Sequence, residues 1–262
     1  MSITVTHNAG FFSCCSVLLH KIIEYINKNN TLPVVNSSAQ FAWYKPNTTN
    51  RDITYDYFEH YNNVQIEKIP KNINYVQGYQ FSLYNVLDYE KISPIIKKYF
   101  TPSVEISDTV KQMESKYKLD YKNICVLFYR GNDKNRETKI CSYDQYLEFA
   151  NKVLSENPNA KFLIQSDETE FITFMRNAFP NNSFYFTDEI RHMPKCNSTV
   201  DLQMRSDIFK FSKLYLAITI IMSKCETIIC GSGNCSIWIM LFRGNSKNVY
   251  QNLNNKWYYH VN

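Results

Sequence analysis

Hydrophobic residues fall along this chain in two rhythms. Near the amino terminus, Phe11, Cys15, Leu18 and Ile22, with Phe12, Leu19, Ile23 and Ile26 beside them, recur at helical spacing. So wide a stripe predicts a well-buried helix after a strand at Ile3–His7 and a turn at Asn8-Ala9-Gly10. Leu32–Val35 reads as the next strand, and residues 37–52, rich in Ser, Asn and Thr, read as a loop. Tyr89–Phe100 and Ser103–Leu119 read as helices divided by Thr101-Pro102, with Pro102 suited to a helix start, where its missing N–H costs little.

From Lys122 onward the alternation is regular. Strand 123–129 precedes helix 143–155, strand 161–165 precedes helix 168–179, and strand 183–186 leads into a polar loop through Pro194. A long apolar segment, 206–224, is followed by strand 227–230, helix 234–243 and a last strand near 248–251. Leu214–Met222 with Thr227–Cys230 also fits a β-hairpin; the helix is preferred because the segment runs long without a breaker. Strands alternating with helices imply parallel βαβ units. The expectation is an α/β protein of two facing domains, divided near residues 101–121, with 1–110 and 111–262 as their extents.

Composition narrows the class. With 262 residues, 44% hydrophobic and 20% charged, the chain is globular rather than disordered. Its net charge of +5 is dispersed, which suits a small anionic ligand and argues against nucleic acid, whose binders carry a concentrated basic stripe. None of the eight cysteines forms a CxxC pair, and the five histidines lie far from them in sequence, so buried free thiols are expected rather than a metal site. The longest apolar run, Leu214–Met222, falls well short of the ~20 residues that span a bilayer, and no signal-peptide pattern opens the chain. A cytoplasmic protein without a membrane span is expected.

Chemistry concentrates in two places. In "CVLFYRGNDKNRETK", Cys125–Lys139, a buried strand breaks abruptly into charge: Arg130, Asp133, Lys134, Arg136 and Glu137, with Gly131 behind the first arginine. At a strand end Arg130 can hold a phosphate through its planar fork, Lys134 adds positive charge, and Glu137 can accept a proton from an incoming hydroxyl. In "CGSGNCSIW", Cys230–Trp238, small residues turn a strand into a helix whose backbone N–H groups, with Ser232, Asn234 and Ser236, make an anion site. Only six glycines occur, and Gly10, Gly131, Gly231 and Gly233 all fall where a strand hands over to a loop or helix, where glycine permits positive φ or close approach.

These stretches carry a resemblance. "FYRGNDKNRE" resembles the first motif of the GDP-fucose-dependent fucosyltransferase superfamily (α1,2-, α1,6- and protein-O-fucosyltransferases). "FLIQSDETEF" resembles its second and "IIMSKCETIICGSGNCSIWIML" its third. "VQGYQFSLYN" resembles a segment upstream in the α1,2 group, and "NAGFF" the glycine turn that opens the first domain. The matches occur in the family's order. The resemblance implies a GT-B fold: two Rossmann-like domains with parallel sheets facing a central cleft, acceptor on the first, nucleotide sugar on the second. It further implies a metal-independent inverting transferase with no cofactor, moving fucose from GDP-fucose to a glycan hydroxyl. Arg130 would grip the β-phosphate, Ser232, Asn234 and Ser236 would support the pyrophosphate, and Asp167 would lie by the nucleotide pocket; Gly10 and Lys134 complete the donor set, and Arg130 and Glu137 are the candidate catalytic pair. Two positions depart from the pattern: the family's histidine two residues before the arginine is Phe128 here, and its acidic residue before the third motif falls near Ile218. Glu137 stands one residue from the α1,6 group's proposed base. A non-catalytic sugar-nucleotide or glycan-binding protein, or a transferase for another nucleotide sugar, are the competing readings. Aromatic residues of the first half, Trp43, Tyr44, Tyr55, Tyr57 and Phe58, fit either sugar stacking or core packing.

Overall fold

The computed structural model describes residues 2–46, 50–187, 192–203 and 207–261. The expected loop 37–52 and polar loop through Pro194 therefore lie partly outside the described residues, as does the start of the 206–224 segment.

Strand β1 (Ser2–Thr4) pairs in parallel with β2 (Val34–Asn36) across helix α1 (Phe11–Asn29), which buries the wide stripe read from the sequence. Among the described residues, the regular elements from Ala42 to Val86 are short 3-10 turns, at 42–44, 54–56, 61–63, 77–81 and 84–86. Most of the large rings in and beside it are nevertheless core: Phe41, Tyr44, Tyr57, Phe58 and Tyr84 are buried, whereas Trp43 and Phe81 are exposed. Helix α2 (Tyr89–Tyr99) is capped by Asp88, and α3 (Val104–Tyr117) by Ser103, whose hydroxyl accepts from the Ile106 N–H. Pro102 thus precedes the cap instead of opening the helix, and bridges to Phe58.

The second half follows the predicted alternation: β3 (Ile124–Tyr129), α4 (Tyr143–Glu156), β4 (Lys161–Ser166), α5 (Thr169–Ala178), β5 (Ser183–Phe184), a short α6 (Val200–Gln203), α7 (Ile208–Lys224), β6 (Thr227–Gly231), α8 (Asn234–Arg243), β7 (Val249–Leu253) and β8 (Lys256–His260). The apolar segment is the helix α7, not a hairpin. β5 is shorter than expected, and β8 was not anticipated. Six strands form one sheet in the order β5-β4-β3-β6-β7-β8, all parallel except β8.

Alternate residues of each strand bury to opposite faces, as a period of two requires. Cys125, Leu127, Tyr129, Phe162 and Ile164 pack with α4 and α5, among them Tyr146, Phe171 and Met175. Val126, Phe128, Leu163, Ile228 and Cys230 pack on the other face in one cluster with α7, α8 and the buried residues of the first half. Trp238 joins the layers: its ring meets Phe12 and Phe100, and its Nε1 donates to Ser16 at 3.0 Å. All eight cysteines are free, and all but Cys196 are buried.

Candidate active site

The sheet order reverses beside β3. From β3 the chain moves to β4 and β5 on one side, then returns to place β6 and β7 on the other. The crevice outside the carboxyl ends of the two strands at such a reversal is the expected ligand site of an open parallel sheet. Arg130 leaves β3 and Gly231–Ser232 leave β6 at that point. A cleft of about 540 Å³ opens there, and its lining includes Gly10, Arg130, Lys134, Glu137, Ser232, Asn234 and Ser236. Asp167 sits one layer behind, beside Arg130, Phe128 and Tyr215. The sequence-predicted residues, scattered over 227 positions from Gly10 to Ser236, are therefore gathered at one place.

Arg130 is not an open fork. Its Nε donates to Asp167 Oδ2 at 2.9 Å and its Nη2 to Asp133 Oδ1 at 3.1 Å. Nη1 has no hydrogen-bond partner among the described residues. Asp167 also accepts from the Gly131 N–H at 2.8 Å, and its carbonyl accepts from Asn132 Nδ2 at 2.7 Å. The β3/β4 register, Tyr129 opposite Ser166, puts residues 130 and 167 side by side. The Arg130 side chain is 27% exposed and that of Asp167 only 5%. Burial is the largest single effect and works against the guanidinium charge, but Asp167, Tyr215 and Asp133 together outweigh it, so Arg130 is held charged with its proton affinity well above the ordinary value. The result is a fixed cation at the cleft.

Lys134 reaches across the cleft. Its Nζ pairs with Glu137 Oε2, lies 5.9 Å from the centre of the Phe81 ring, and its chain runs against Gly233. A Cβ at Gly233 would meet Lys134 Cε at 3.0 Å. At Gly131 a Cβ would stand 2.1 Å from Glu168 Oε1 and 2.6 Å from Tyr129 Cε1. The one glycine in the left-handed region among the described residues is Gly244, so what the site's glycines supply is not positive φ but, at positions 131 and 233, room.

In the third motif the side chains are mostly committed to the fold. The Ser232 hydroxyl and N–H both donate to the Asn252 carbonyl at 2.8 Å, and Gln251 Nε2 donates to that hydroxyl. Ser236 Oγ donates to the Gly231 carbonyl, and Asn234 Oδ1 accepts from Ser16. Asn234 and Ser236 line the cleft at the start of α8, behind Gly233, which supplies no side-chain cap and whose own N–H donates to Tyr84 Oη at 3.1 Å, so the positive end of the helix borders the cleft. Helix α1 likewise begins at the cleft behind Gly10 without a side-chain cap, although the Phe11 N–H donates to Tyr44 Oη at 2.7 Å.

Asp133 of the charge cluster also lines the cleft, together with residues given no role from the sequence: Gln80, Phe81, Asp201 and Tyr215. Glu168, behind Gly131, is fully buried and accepts from Tyr143 Oη; burial raises its pKa above the ordinary carboxylate value. Phe128 and Ile218, the two departures from the family pattern, are both buried, and Phe128 lines the cleft. Among the described residues no group of three or more His, Cys, Asp or Glu is placed to hold a metal ion, and no helix is long and apolar enough to cross a membrane.

Two α/β parts built on parallel strands, with a cleft at the strand ends and helix N-termini beside it, match the GT-B fold. Solved fucosyltransferases share it. NodZ α1,6-fucosyltransferase soaked with GDP-fucose superimposes with a TM-score of 0.59 at 11% identity, covering 97% of this chain and 97% of that one. The same enzyme co-crystallised with GDP gives 0.56 at 12% identity over 96% and 95% of the two chains. NodZ from Bradyrhizobium gives 0.57 at 12% identity over 96% of each. No protein-family model matches the sequence, and no curated protein does.

Proposed function

We propose that the chain is an inverting glycosyltransferase that moves fucose from GDP-fucose to a hydroxyl of a glycan. The observation that carries this reading is the convergence at the sheet's reversal point of a fixed Arg130, Lys134 and the positive end of α8 in one cleft. This is a site for a doubly charged diphosphate, in a fold shared with an enzyme crystallised with GDP and soaked with GDP-fucose. In the proposed step the acceptor oxygen attacks the anomeric carbon from the face opposite GDP. The C–O bond to the β-phosphate breaks with its electron pair leaving on GDP, and Glu137 takes the hydroxyl proton. Arg130 Nη1 and the α8 dipole stabilise the charge that builds on the phosphate. Ser232, Asn234 and Ser236 act in this reading chiefly through the turn and helix start they build, Gly10 by opening α1 at the cleft, and Asp167 by holding Arg130.

The division into two domains, near residues 101–121 with extents 1–110 and 111–262, is part of this proposal; the packing of α3 on α7 supports a joint toward the start of α3. A cytoplasmic location and the absence of a cofactor and of nucleic acid among its partners belong to the same proposal.

GDP and GDP-fucose are expected to stabilise the fold by about 2–3 kcal/mol at a hundredfold excess over the dissociation constant, measured as a thermal shift. A shift with UDP-sugars and none with GDP would remove the fucose assignment. Phe128 and Ile218, apolar where the family reads the base, favour that outcome or a binding protein without turnover; release of free sugar from a bound nucleotide sugar separates the two.

Turnover is expected to survive EDTA. The nearest acidic pair, Asp167-Glu168, is already engaged: Asp167 by Arg130 and Gly131, Glu168 by Tyr143. Activity abolished by EDTA and restored by manganese overturns this part of the reading.

A further inference from the structure

The first-half wall of the cleft carries features that diphosphate binding does not use. Trp43 and Phe81 line it and are each 42% exposed, although the other large aromatics around them, Phe41, Tyr44 and Tyr84, are fully buried. Neither ring stacks on another aromatic ring among the described residues, and Trp43 Nε1 has no hydrogen-bond partner there. Gln80, next to Phe81 in sequence, lines the same cleft with its Oε1 buried and without a partner among the described residues. A buried acceptor left unpaired is costly and rare, and at a cleft wall it marks the place of a donor that arrives with a ligand.

Trp43 is exposed on a rigid mount. The preceding residue but one, Phe41, holds a left-handed conformation, φ 57°, which a bulky side chain seldom adopts. Asn8 clamps the segment twice, donating to the Ala39 carbonyl at 3.0 Å and accepting from the Ala42 N–H at 2.7 Å. On the other side Tyr44 Oη accepts from the Phe11 N–H and donates to Asp201 at 3.0 Å. Phe41 and Tyr44 are thereby locked into the core against Phe11, while the ring between them is turned into the cleft. Phe81 is mounted over Lys134, whose Nζ pairs with Glu137.

We infer that this wall is a carbohydrate subsite, on which a pyranose ring lays its apolar C–H face against Trp43 and Phe81 and donates a hydroxyl hydrogen to Gln80 Oε1. Resting on the transferase reading above, the subsite is that of the acceptor, because Lys134 Nζ, 5.9 Å from the centre of the Phe81 ring, pairs with Glu137, the group that takes the acceptor's proton. A flat aromatic with an indole N–H, a second ring and a lone buried acceptor match a ligand with one apolar face and hydroxyls at its edge. A nucleobase or a peptide would leave that combination partly unused.

The test uses the full chain and neutral oligosaccharides containing galactose, glucose or N-acetylglucosamine. Trp238 is buried and Trp257 lies in β8, packed against Tyr146 and Phe149, so an exposed-tryptophan fluorescence change reports Trp43. At least one saccharide is expected to change that fluorescence with saturating GDP present. By calorimetry, Trp43→Ala and Gln80→Ala are each expected to weaken that saccharide by about tenfold or more, as removal of a central aromatic or paired polar anchor does, with GDP affinity unchanged. The inference is overturned if no saccharide binds, if GDP displaces it, or if Trp43→Ala leaves its affinity intact. It is equally overturned if Trp43→Ala weakens GDP-fucose but not GDP, which would make the wall the seat of the donor's sugar. Absence of GDP binding with saccharide binding preserved would instead refute the transferase reading and leave the carbohydrate site standing.

Discussion

Replacing Arg130 with Ala is expected to lower kcat by about 10²-fold or more, comparable to losing one preorganised donor at a developing charge. The contact strengthens as the β-phosphate departs, so it acts on the transition state more than on the bound ground state. Two carboxylates hold the guanidinium at fixed orientation, Asp167 through Nε and Asp133 through Nη2, which aims Nη1 without cost at the moment of reaction. Arg130→Lys keeps the charge but cannot bridge both carboxylates and still present a donor, so it should fall nearer to Ala than to the wild type. Arg130→Ala also leaves Asp167 short of a partner in a nearly closed environment. A stability loss therefore accompanies it, on the order of 3 kcal/mol for a broken buried pair. Asp167→Asn in the Ala background separates the two effects, because it removes the stranded charge and restores the fold without restoring the phosphate contact. Glu137→Gln should leave GDP binding unchanged and slow only transfer. A folded Arg130→Ala protein with near-normal transfer rates would falsify the assignment of Arg130 to the reaction.

The second half was legible because its elements are regular. Strands β3, β4 and β6 are apolar runs bounded by charge or glycine, and α4, α5 and α8 carry stripes at helical spacing. Strand β8 had a signal that went unread: Asn254 and Asn255 both take positive φ, the geometry of a tight hairpin, between two runs of alternating residues. Residues 42–86 were opaque for a different reason. Rings such as Tyr44, Tyr57, Phe58 and Tyr84 are buried from irregular 3-10 turns, so burial follows no period that a sequence could display. The same limit hid the ion pair at the centre of the site. Arg130 and Asp167 each stood out, but only the register of β3 on β4 shows that they bind one another. Charge clusters announce a site; which charges neutralise each other is decided by the sheet.

Gly131→Ala tests whether that local arrangement is as tightly built as its distances say. The added methyl would stand 2.1 Å from Glu168 Oε1, 2.3 Å from its Cδ and 2.6 Å from Tyr129 Cε1. None of these neighbours can withdraw freely. Glu168 is fully buried, its carboxyl is held by Tyr143 and its N–H by the Ser166 hydroxyl at 3.0 Å. Tyr129 is stacked on Phe171 at 4.7 Å between centroids. If the backbone shifts instead, the Gly131 N–H leaves Asp167, and the Arg130 mount loosens with it. Overpacking together with a lost hydrogen bond to a buried carboxylate should cost about 2–4 kcal/mol, read from the urea midpoint at constant slope. Gly78→Ala, whose added methyl meets nothing within 4 Å, is the control and should stay within about 0.5 kcal/mol of wild type. In a Glu168→Ala background the cost of Gly131→Ala should shrink, because most of the obstructing atoms are gone; the difference is the coupling between the two positions. Equal urea midpoints for Gly131→Ala and wild type would mean that Glu168 does not press on this turn, and that Arg130 is aimed by its carboxylates alone.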